Sequence, residues 1–258
     1  MPVHLQQAAE YVSSIDLSGT PRNLLGQDAA TEAGEIFATA KAQAQVVGSG
    51  LYSFANGVTP EMREAVSNSA LLAQLVANKR ISADEAPMDW YGAYLEVLQN
   101  IGWTVQDHAW NDYTAEGTAV AVHEKIIEVL QVALGPAPAA LAIIKSAIDV
   151  LKAMTPETSW LTIFSREAQH ARIARFQVGL VEPGEDADLF VSMLACLIEA
   201  NSTLTQVLAF KFRNERANFK GNSAKVSVDR ENLEHLLPAI RTKVRAYQAD
   251  YVSSIQDL

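Results

Sequence analysis

The chain has 258 residues, 49% of them hydrophobic and 19% charged, and a formal net charge of −10. That length can bury roughly three quarters of the unfolded surface, the high apolar and low charged fractions exclude a disordered chain, and the excess of acids disfavours nucleic acid, whose phosphates need a dominant basic surface. A lone cysteine, Cys196, excludes an intramolecular disulfide and fits a cytoplasmic protein or one exported without oxidative folding.

The opening MPVHLQQAAEYVSSIDLSGTPR lacks a basic region followed by an apolar core and a cleavage site, so it reads as an amphipathic helix and not as a standard secretion signal. Val47-Gly48-Ser49-Gly50-Leu51 has neither the spacing of a phosphate cradle nor that of a nucleophile elbow, and reads as a turn. Thr59-Pro60-Glu61 supplies an N-cap, a preset first-turn φ and an acid at the positive end of a helix. Met62, Ala65, Val66, Ser69, Leu72 and Val76 then share one face, and Lys79-Arg80 suit the closing turn. A second helix follows, with Trp90, Tyr94, Val97, Leu98 and Ile101 on one stripe and Gly102 as its stop. His108 among Trp103, Trp110 and Tyr113 reads as a satisfied imidazole, with a pocket wall as the alternative.

Residues 126–154 are the most apolar part of the chain. Glu124, Glu128 and Gln131 before Gly135-Pro136-Ala137-Pro138, and Lys145, Asp149 and Lys152 after it, form narrow polar stripes opposite wide apolar faces. The pattern predicts two amphipathic helices joined as a hairpin. Its uncharged run from Val129 to Ile144 is 16 residues, short of the ~20 that a transmembrane helix needs. The expected place is the packed centre of the fold, with storage and release at a membrane as the alternative.

Beyond Thr155-Pro156 the period changes to two. Ala174, Phe176, Val178 and Leu180 alternate, EPGED turns, DLFVSMLACLIEA is a continuous apolar run, and Leu208/Phe210/Phe212 and Ala224/Val226/Val228 alternate again. These predict an antiparallel meander of about four strands. Asp229 then caps a closing helix through Leu233, Leu236, Leu237, Ile240, Val244 and Tyr247, with Pro238 as a kink or restart. The expected fold class is therefore α+β, in a single compact domain over 1–258: a mainly helical part in 1–156 with the central hairpin, then the meander and closing helix in 157–258.

Charge is unevenly spread. Residues 211–245 hold nine Lys or Arg against four acids, a local excess of five that reads as a solvated surface, with an anionic-membrane patch as the alternative. Recognisable chemistry is scarce. His123-Glu124 begins like a zinc-protease helix but has Ile127 where the second histidine belongs, and His4, His108, His170 and His235 share no ligand spacing, so no metal is expected. Glu85, Asp89, Asp107 and Asp112 are scattered acids to which no acid and base roles can be given.

AQVVGSGLYSF, MREAVSNSALLAQLVANK and WYGAYLEVLQNIGWTVQD, followed by a long apolar helical region and a C-terminal meander, resemble the Evf virulence-factor family of insect-infecting Erwinia, from about Ala44 onward. The resemblance implies an α/β fold without recognised catalytic residues, and a bacterial protein acting in the insect gut. It also implies membrane association and a cysteine carrying a palmitoyl thioester in an apolar cavity. Only Cys196 can correspond to that cysteine. Its neighbours Leu194, Ala195, Leu197 and Ile198 are what an acyl chain needs, but such surroundings also hold inert buried cysteines. Full burial of a palmitoyl chain approaches ~11 kcal/mol at ~0.8 kcal/mol per methylene, so an attached chain would lie in a protein cavity or a bilayer.

These readings combine into a non-enzymatic, lipid-associated virulence or toxin-like factor acting at host membranes. Its lipid attachment candidate is Cys196, and its cavity-lining candidates are Ile144, Ile148, Leu194, Ile198 and Phe210. The expected partner is lipid or a membrane surface; no cofactor is expected apart from covalently bound palmitate, and no metal or nucleic acid. The expected location is the bacterial cytoplasm, or outside the cell without a standard signal peptide, with peripheral membrane association. A pore-former that releases 126–154 and a Cys196-dependent acyl hydrolase or transferase remain the alternatives.

Overall fold

The computed structural model describes residues 3–20, 43–81, 86–112, 122–134, 138–153, 168–170, 173–184, 188–200 and 218–256. Helix α1 (Val3–Ser14) leads to a hairpin of β1 (Gln43–Val47) and β2 (Gly50–Phe54). The glycine-serine run expected as a turn is the two-residue tip of that hairpin, where Val47 pairs with Gly50 and Gly48 takes the left-handed φ of 54°. The flanking strands had no clean alternation to reveal them, because β2 is buried on both faces.

Helix α2 (Pro60–Arg80) starts where expected, with Thr59 Oγ1 accepting from the Met62 N–H at 3.3 Å. Helix α3 (Pro87–Asn100) follows, and Gly102 stops it at φ 90°. Every residue assigned to their two apolar stripes is buried. Both pack on one face of the sheet and carry the chain to its far edge, where β3 (Trp103–Asp112) lies. This strand was not foreseen, and His108 falls within it, next to a register shift between Gln106 and His108.

The chain returns through α4 (Val122–Leu134) and α5 (Pro138–Ala153), the hairpin that the sequence predicts. It then enters β4 (Gln169–His170), β5 (Ile173–Pro183), β6 (Leu189–Glu199) and β7 (Asn218–Val228). The strand order is β1-β2-β5-β6-β7-β3, with β4 beside β5. All pairs are antiparallel except β2 with β5; the expected meander is antiparallel through β5, β6 and β7, and the parallel pair joins it to a strand from the first part of the chain. The alternation expected at Leu208, Phe210 and Phe212 lies outside the described residues. Helix α6 (Arg230–Gln256) is capped by Asp229, whose Oδ1 accepts from the Asn232 N–H at 2.8 Å. It runs on through Pro238, so no restart occurs there.

The architecture is thus α+β, with a mostly antiparallel sheet between two helical layers. On one face lie α1, α2, α3 and α6, with Trp90, Tyr94, Leu72 and Ile240 among the buried side chains. On the other, among the described residues, lie the helices α4 and α5. Strand β6 is apolar along its length because both of its faces are covered. Four of the six described basic residues of the basic stretch are engaged within the fold. Arg241 reaches Glu64 at 2.6 Å, Arg230 reaches Glu234, Lys220 faces Glu199, and Lys243 donates to the Ser13 and Ile15 carbonyls at the end of α1.

Candidate functional site

Leu194, Cys196 and Ile198 alternate along β6 and therefore share one face of the sheet. That face is the one under α4 and α5. The structure places these three in one buried cluster with Ile144 and Ile148 of α5 and with Ile126, Val129 and Leu130 of α4. Four of the five residues named from sequence as lining thus meet around the cysteine; Phe210 lies outside the described residues. Periodicity explains their shared burial: on α5, Ile144 and Ile148 are one turn apart, while Lys145 and Asp149 point to solvent.

The cross-strand neighbours of Cys196 could not be read from the sequence. Phe176 of β5 pairs with it on one side and Gly221 of β7 on the other. Phe176 had been placed on an alternating strand but not beside the thiol, and Phe219 and Gly221 lie in a stretch with no apolar alternation. Gly221 brings no side chain to the place next to the thiol.

The thiol has no measurable exposure, and its Sγ lies 4.0 Å from the Leu194 carbonyl oxygen. Burial pushes its pKa well above the usual thiol range. From the opposite face of the sheet, the Tyr91 hydroxyl donates to the Phe176 and Cys196 carbonyls, at 2.8 and 3.0 Å. Desolvation raises the pKa of Tyr91 as well, so the hydroxyl keeps its proton, and its hydrogen bonds to these carbonyls, across the physiological range. The backbone carrying the cysteine is therefore pinned from the four-helix side while its side chain points at the hairpin.

A second polar cluster lies on the four-helix side. Arg175 stacks on the Trp90 ring at 3.6 Å and donates to Asn78 Oδ1, which also accepts from Trp90 Nε1 at 2.6 Å. Nearby, Gln74 donates to the Val47 carbonyl and accepts from the Ser49 N–H, which fastens the hairpin tip to α2. These are tertiary ties, not a catalytic constellation. Among the described residues, no group of three or more His, Cys, Asp or Glu stands where it could hold a metal, and no helix is long and apolar enough to cross a membrane.

No protein-family model matches the chain, and no curated protein matches it by sequence. Solved structures match at low similarity. A delta-endotoxin is 12% identical, with a TM-score of 0.40 over 72% of this chain and 85% of its own. The activated Cyt2Ba monomer from Bacillus thuringiensis subsp. israelensis is 10% identical, with a TM-score of 0.40 over 71% of this chain and 98% of its own. The Evf virulence factor is 11% identical, with a TM-score of 0.29 over 96% of this chain and 89% of its own. These likenesses transfer no residue role.

Proposed function

We propose that the protein is a non-enzymatic, lipid-associated factor of the toxin or virulence type that works at a host membrane surface, with an acyl chain attached to Cys196. The observation that carries this reading is the position of the thiol: fully buried, on the sheet face that, among the described residues, the amphipathic hairpin covers, among aliphatic and aromatic side chains. Among the described residues, the cluster that an acyl chain in that layer would meet is apolar. Length is compatible too. A chain of 16 carbons extends ~20 Å, and the 16 residues of α5 span ~24 Å at 1.5 Å per residue. The virulence role and the insect-gut setting come from the sequence resemblance to the Evf family.

The same geometry weighs against a cysteine-dependent acyl hydrolase or transferase. Nucleophilic catalysis needs a thiolate beside a base or a cation, and the core around this thiol is apolar and raises its pKa.

The test is the intact mass of the full chain purified from a bacterial host. An excess equal to a palmitoyl group, removed by neutral hydroxylamine and missing in Cys196→Ser, is the expected result. An unmodified mass in protein from both the native organism and the expression host would sink the acylated reading.

A further inference from the structure

Between β2 and α2 the chain turns through Ala55, Asn56, Gly57 and Val58. The Val58 N–H donates to the Ala55 carbonyl at 3.3 Å, and Gly57 takes a φ of 97°. Such a φ at the third position of a turn calls for glycine, and a Cβ there would also lie 3.3 Å from Pro183 Cγ. Both ends of the turn are fixed. The Ala55 N–H donates to the Val181 carbonyl of β5 at 2.9 Å, Val58 is buried, and Thr59 caps α2.

The middle of the turn is open. Asn56 and Gly57 are both exposed, and among the described residues neither the Asn56 amide nor the Gly57 N–H makes a hydrogen bond. Asn56-Gly57 is the one asparagine-glycine pair in the chain. A glycine in second place brings no side chain to hinder its own backbone nitrogen from reaching the carboxamide carbon of the asparagine. Two other asparagines, each followed by serine, are held in regular structure. Asn68 lies within α2 and donates to the Glu64 carbonyl at 2.8 Å, and Asn222 is 5% exposed within β7.

The open pair can react with itself. The Gly57 nitrogen attacks Cγ of Asn56: a C–N bond forms, the Cγ–Nδ2 bond breaks, and ammonia leaves with the proton that the nitrogen gives up, which closes a five-membered succinimide. Water then opens the ring. Addition at Cγ gives aspartate, and addition at the main-chain carbonyl gives isoaspartate, in which the backbone runs through the former side chain and is one methylene longer. Either product adds a negative charge to a chain already at −10. Only isoaspartate changes the path between the two fixed ends.

We propose that Asn56-Gly57 is a site of spontaneous deamidation, at which water converts the folded chain into aspartate and isoaspartate forms, and that the isoaspartate form loosens the junction between β2 and α2. The added methylene displaces Thr59 from the first turn of α2 and weakens the 3.3 Å hydrogen bond that its Oγ1 accepts from the Met62 N–H. This inference is independent of the acyl reading at Cys196.

The experiment incubates the full-length chain and a free peptide of residues 53–60 side by side in warm, mildly alkaline buffer, and follows both by mass and by peptide mapping. Each conversion raises the mass by about one dalton. Asn56 in the chain should convert at a rate within ~10-fold of the peptide, because no opening of the fold has to precede the attack. Asn68 and Asn222 should stay unconverted over the same period. Asn56→Gln, which would have to close a six-membered ring, should keep its starting mass and the thermal midpoint of fresh chain. The isoaspartate form, recognised by its resistance to a protease that cleaves at aspartate and separated by chromatography, should melt below Asn56→Asp. A chain that converts more than ~10-fold slower than the peptide, or converts first at Asn68 or Asn222, overturns the site. An isoaspartate form that melts with Asn56→Asp overturns the loosening.

Discussion

Cys196 and Tyr91 approach the same pair of strands from opposite sides, and both are held protonated by burial. Tyr52 and Tyr94 share a hydroxyl contact of 2.9 Å in the four-helix core, and desolvation pushes Tyr52 up to about 12. Each of these groups has a folded pKa above its unfolded value, so the stability it contributes is complete below the unfolded pKa and is lost as pH rises toward the folded one. We therefore expect the thermal midpoint to begin falling near pH ~8.5, where an unfolded thiol ionises, and more steeply above ~10, with each group contributing up to ~1.4 kcal/mol per pH unit. In Cys196→Ser, or in acylated chain, the decline should begin only at the tyrosines. A midpoint that is flat to pH 11 in the unmodified chain would contradict the burial of these groups. A sole cysteine in an apolar run made Cys196 visible in the sequence. Its contact with Tyr91 did not show, since it joins residues 105 apart.

At the scale of elements, the hairpin offers a paired comparison. Ile148 is fully buried and Val132 is 76% exposed, on adjoining helices. Ile148→Asp must keep a carboxylate desolvated or take up a proton, and should cost several kcal/mol in urea unfolding, whereas Val132→Asp should stay within ~0.5 kcal/mol. Equal effects would mean that the two helices are turned differently. Thr59→Ala removes the acceptor for the Met62 N–H and should cost ~1 kcal/mol. Helix α3 and the hairpin were legible because each buries one stripe and wets the other, and α2 because of its cap and first-turn residues, although Leu72 to Ala77 are all buried. Strands β1, β2 and β3 were not, because β2 is buried on both faces and β3 is an irregular edge strand, so neither shows a period of two.

On the scale of the whole molecule, one sheet draws β1, β2 and β3 from the first part of the chain and the remaining strands from the second. A shared ladder couples the two parts, so thermal unfolding followed by far-ultraviolet circular dichroism should be a single transition, from a spectrum dominated by helix. Two separated transitions would divide the chain into two domains. By itself the sequence determined the class of fold, the helical faces, the meander core, the closing helix and the suspicion attached to Cys196, because each depends on spacing within a short window. Tertiary structure alone decided that β2 runs parallel to β5, that β3 closes the far edge, and that Phe176 and Gly221 flank the thiol. The physical reason is common to all of these: strand order and the partners of a buried side chain depend on which distant segments can be covered together, and local periodicity carries no record of that choice.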